Sequence, residues 1–95
     1  IIFWVSEKSY NYVVTKPIHG TQKTYKNEKE AKLREQYPNL EGGKFFSIDC
    51  IPNYELIREL SSYGKELIVL SPEAVTDEVF TRIKELYEKY FEMRT

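Results

Sequence analysis

The chain has one cysteine, Cys50, and one histidine, His19. It has no apolar run near the roughly 20 residues needed to span a bilayer. A lone cysteine excludes an intrachain disulfide and any cysteine-rich metal centre. One histidine with one cysteine falls short of the three or four ligands a zinc site requires, unless carboxylates join them. No metal, no cofactor and no membrane partner are therefore expected. Basic charge is not in excess either: 14 Lys and Arg stand against 15 Asp and Glu. That balance argues against a free-standing nucleic-acid binder, because a phosphate backbone selects a basic face. The opening IIFWVS has no initiator methionine and no charged leader. Such a start inside a strand-like run suggests a piece of a longer protein, and the reduced cysteine suggests the cytoplasm.

What is present is an ordinary globular composition, 41% apolar, on a length suited to one domain over 1–95. IIFWV reads as a buried strand. Ser6 offers a helix cap, with Tyr10, Val13 and Val14 on one face, and Pro17 closes that helix near Thr15. Gly20 turns the chain into TQKTYKN, a short alternating strand. Residues 28–43 read as an inserted helix and loop, largely solvated and supported by Glu28–Lys32 and Glu30–Arg34 pairs. In KFFSIDCIP, Phe46, Ile48 and Cys50 alternate onto one face, with Phe45, Ser47 and Asp49 on the other. Asn53 caps a helix whose buried stripe is Leu56, Ile57, Leu60 and Tyr63, and Gly64 terminates it. ELIVL, almost wholly apolar, reads as a central strand. Ser71-Pro72-Glu73 then opens a long helix with apolar residues at Val75, Val79, Ile83, Leu86 and Tyr90.

Without the insertion and the last helix, the order is βαββαβ. The expected fold is an α+β, ferredoxin-like sandwich, a four-stranded antiparallel sheet with helices on one face. Phe80, Tyr87 and Phe91 widen the last helix's stripe beyond what one core needs, which makes them candidate interface residues.

Catalytic chemistry finds no support. His19 has Thr21 and Gln22 nearby, but nothing specifies a nucleophile, base and orienting group. Gly20, Thr21 and Lys23 lack the second glycine and the Lys-Ser/Thr pair of a phosphate loop, and Gly20 leads into a strand instead of a helix. Lys16, His19, Gln22 and Lys23 remain candidate contacts for an anion or nucleotide, with Arg58 as another. Trp4 and Tyr25 are candidates for stacking a base, although the aromatic signature of RNA-recognition sheets is absent. An acylphosphatase-type enzyme would need an arginine after the first strand, where VSEKSY has none.

From Lys16 onward the chain resembles the C-terminal extension (WCX) of WYL-domain bacterial transcriptional regulators. The matching pieces are Pro17-Ile18-His19-Gly20-Thr21-Gln22-Lys23, then Ile51-Pro52-Asn53-Tyr54-Glu55-Leu56. Leu60-Ser61-Ser62-Tyr63-Gly64-Lys65-Glu66-Leu67-Ile68-Val69-Leu70-Ser71-Pro72-Glu73 and Tyr90 complete them. Thr21 stands where the family more often has serine, and the 28–43 insertion lengthens one connection. The resemblance implies a non-enzymatic domain that senses a ligand, a nucleic acid in some members, and supports a homodimer. It also implies a WYL domain as partner, with DNA contacted by a helix-turn-helix domain. The rival reading is a stand-alone ferredoxin-like module binding an amino acid or nucleotide.

Overall fold

A computed structural model describes residues 1–94. The elements are β1 (Ile2–Val5), α1 (Tyr10–Thr15), β2 (Lys23–Thr24), α2 (Asn27–Gln36), β3 (Lys44–Ser47), α3 (Tyr54–Ser62), β4 (Leu67–Ser71) and α4 (Glu73–Arg94). All strand pairs are antiparallel, in the order β2-β3-β1-β4, which is the ferredoxin-like arrangement. No helix among the described residues is long and apolar enough to cross a membrane.

Alternation along the strands builds the core. Phe3 opposes Phe46 across β1 and β3, and their rings stack with centroids 5.5 Å apart. Val5, Ile48, Leu67 and Val69 extend this face, and α1, α3 and α4 cover it with Val13, Leu56, Ile57, Leu60, Val75 and Val79. Each such buried side chain contributes about 1.5–3 kcal/mol relative to exposure.

The opposite face has its own small cluster. Trp4 opposes Phe45, and both are buried. Arg34 of α2 stands over the Phe45 ring at 5.1 Å and donates to the carbonyls of Gly42 and Gly43, both at 2.7 Å. Helix α2 of the insertion buries no residue of its own, as its polarity predicts. Through Arg34 it is nevertheless fastened across the second face. Of the two expected ion pairs, Glu30–Arg34 forms at 3.3 Å, the one ion pair among the described residues.

Asn53 caps α3 through Oδ1, which accepts from Leu56 N at 2.8 Å, and Gly64 adopts φ +59 beyond the helix, both as the sequence indicates. Three expectations need correction. Ser6 does not cap α1: its hydroxyl donates to Glu66, its carbonyl turns the chain, and the helix starts only at Tyr10, leaving Val14 half exposed. The strand from Thr21 shrinks to Lys23–Thr24, because Thr21 and Gln22 are held in the preceding turn. The ELIVL strand lies at an edge, not in the centre. It is apolar because α4 packs along it, Thr76 Oγ1 donating to Val69 O at 3.5 Å.

Gly43 is the tightest point of the second face. It has φ +64, and a Cβ there would overlap the Val5 carbonyl oxygen and lie 2.8 Å from Trp4 Nε1. Gly64 has the same backbone sign but open space around it. Gly64→Ala is expected to cost about 1–2 kcal/mol for the left-handed conformation alone. Gly43→Ala adds overpacking and is expected to cost roughly 1–3 kcal/mol more, read from urea midpoints.

Tyr63 makes a second test. Burial pushes its hydroxyl above the ordinary value of 10.0, with Tyr12 and Glu59 adding to the effect. The fold therefore favours the neutral phenol, and an unfolded chain loses the proton first. This contribution is complete below pH 10 and is lost as pH rises through the folded value. Tyr63→Phe is expected to flatten the fall in stability above pH 10.

Candidate functional site

The turn that follows α1 is built almost entirely from its own side chains. Gln22 Oε1 accepts from Ile18 N at 2.9 Å, and its Nε2 donates to Val13 O at 3.1 Å. The amide thus ties the turn to α1. Thr21 Oγ1 accepts from Asp49 N at 2.8 Å and lies 3.2 Å from Asp49 O, which fastens the turn to the end of β3. His19 Nδ1 accepts from Thr21 N at 3.2 Å and lies 2.8 Å from Thr21 Oγ1. An accepting Nδ1 places the neutral ring's proton on Nε2.

The candidate anion contacts Lys16, His19, Gln22 and Lys23 therefore do not converge. Gln22 is engaged through both ends of its amide, and His19 through Nδ1. Lys16 stands beside α1 with its ammonium 6.0 Å from the Tyr12 ring. Lys23 projects on the other face of the sheet, in a shallow hollow with Ile2, Tyr25, Ser47 and Asp49. Lys26 and Lys29 border the same corner. Trp4 is unavailable for stacking a base, since it is 8% exposed and its Nε1 donates to Gly42 O at 3.0 Å.

Arg58 lies elsewhere, in a groove of about 460 Å³ between α3 and α4. The groove adds Arg82, a residue the sequence reading passed over. Arg82 falls in line with Val75, Val79 and Leu86, at spacings of four, seven and eleven, so the apolar stripe contains a charge facing the domain. Its guanidinium lies over the Tyr54 ring at 5.4 Å, and its buried Nε has no hydrogen-bond partner. Leaving such a donor unsatisfied costs about 1–3 kcal/mol.

From Phe80 onward α4 presents an exposed apolar strip. Val75 and Val79 are buried, but Phe80, Ile83, Leu86, Tyr87, Tyr90, Phe91 and Met93 are 44–81% exposed. Tyr87 and Phe91 pack against one another with centroids 6.1 Å apart. The sequence-predicted interface residues Phe80, Tyr87 and Phe91 all belong to this strip. Among the described residues, no group of three or more His, Cys, Asp or Glu side chains could hold a metal ion.

Two residues separate a structural turn from a binding one. Gln22→Ala is expected to destabilise the fold by about 1–3 kcal/mol, because it orphans Ile18 N and Val13 O. Lys16→Ala is expected to stay within about 0.5 kcal/mol, as surface changes do. Urea unfolding of both variants distinguishes these, and equal midpoints would contradict the assignment.

No protein-family model, no curated protein and no solved structure matches this chain.

Proposed function

We propose that this chain is the C-terminal regulatory domain of a WYL-type bacterial transcriptional regulator, a cytoplasmic, non-enzymatic module that joins two protomers and responds to an effector. The sequence resemblance in PIHGTQ, IPNYEL and LSSYGKELIVLSPE supports the family. A ferredoxin-like sheet is compatible with it. In this reading a helix-turn-helix domain contacts DNA, and an effector acts by shifting the population of protomer arrangements.

The observation that carries the reading is the free half of α4. Ile83–Arg94 extends about 18 Å at 1.5 Å per residue. Its six large side chains leave roughly 550–900 Å² exposed, taking about 150–250 Å² for each whole side chain. A standard interface buries about 800 Å² per partner. Charge does not oppose self-association, since Lys84, Lys89 and Arg94 balance Glu85, Glu88 and Glu92. A second copy thus satisfies both area and charge.

Sedimentation equilibrium of the chain is expected to show a monomer–dimer equilibrium. Tyr90→Glu should weaken it at least about tenfold, as loss of one central aromatic contact typically does. A strict monomer at several hundred micromolar would contradict the dimer.

A further inference from the structure

We propose that the groove between α3 and α4 binds a small amphipathic carboxylate, held by Arg58 and Arg82 with its apolar part against Ile83 and Leu86. The two guanidiniums come from different helices and line one cleft. Neither makes a hydrogen bond or ion pair with the described residues; Arg82 rests instead on the Tyr54 ring. The hydroxyls of Ser61 and Ser62 donate to the carbonyls of Ile57 and Glu59, so they offer no proton to an incoming anion. Anion recognition therefore falls to the arginines, whose planar forks match a carboxylate.

Charge selects the ligand class. Two arginines face one acid, Glu85, within the cleft, a surplus of a single positive charge. Asp77 and Glu78 flank the adjoining hollow that Arg82 also lines. A polyphosphate or nucleic acid would bring several negative charges against these acids. A monocarboxylate brings one. The cleft's volume lies within the range of small-molecule sites, and its remaining wall is apolar.

Position gives the site a consequence. Ile83 and Leu86 open the exposed strip of α4, so a ligand there touches both the groove and the strip. Coupling of binding to assembly rests on the reading of α4 as the dimer surface; binding itself does not.

The test is the side-chain Nε–H spectrum of the ¹⁵N-labelled chain, titrated with three probes. Hexanoate carries charge and tail, hexanamide the tail alone, and inorganic phosphate the charge alone. Hexanoate is expected to shift the Arg58 and Arg82 signals saturably, about tenfold more tightly than either of the others. Arg58→Gln, at an exposed position with no contact to lose, is expected to weaken it about tenfold. Arg82→Lys is expected to retain partial binding. Equal affinity for hexanoate and hexanamide, or no effect of Arg58→Gln, would overturn the site. Equal affinity for phosphate would overturn the ligand class. The same titration on Tyr90→Glu separates the two readings: binding should persist there whether or not the chain self-associates.

Discussion

Strand β1 is the constraint on which the rest depends. It is hydrogen-bonded on both sides, to β3 and β4, and buried on both faces, with Phe3 and Val5 toward the helices and Trp4 toward the insertion. Its neighbours are placed by contact with it. Trp4 and the Val5 carbonyl leave room only for a glycine at position 43. The Gly42–Gly43 loop is then gathered by three side chains: Trp4, Glu7, which accepts from Gly43 N at 2.8 Å, and Arg34. The inserted helix, which buries no residue fully, is held chiefly by Arg34, which bonds that loop and stands over the Phe45 ring.

On the other side of β1, β4 and α4 follow from the same packing. β4 contributes Leu67 and Val69 to the core, and α4 shields the strand's outer flank. The domain exhausts α4 after about three turns. What continues is a helix whose apolar strip keeps its direction but has no core to meet. The groove containing Arg58 and Arg82 sits where the helix leaves the domain. A ligand there would act at the junction between fixed and free helix, where a modest binding energy can shift an assembly equilibrium.

Much of this was legible locally. Period-2 alternation in KFFSIDC assigned Phe46 and Ile48 to the core, and Asn53 and Gly64 marked their helix ends through short-range hydrogen bonding and a left-handed backbone. The failures have a common cause, which is tertiary contact. ELIVL looks central because it is apolar, yet burial under a helix produces the same composition as burial between strands. Ser6 looks like a cap, but its hydroxyl is taken by Glu66, sixty residues away. Lys16, His19, Gln22 and Lys23 are adjacent in sequence, but the turn sends Lys16 and Lys23 to different sides and uses the other two as struts. Arg82 was visible as a charge inside the Val75–Val79–Leu86 stripe, and only its placement opposite Arg58 required the fold.

The exposed half of α4 is the centre of the account, and its amide hydrogen exchange tests the claim most directly. If this helix is completed by a second copy, the amides of residues 83–94 should gain protection as concentration rises from micromolar to millimolar, while those of β1 remain unchanged. Exchange in residues 83–94 that is independent of concentration over that range would contradict it.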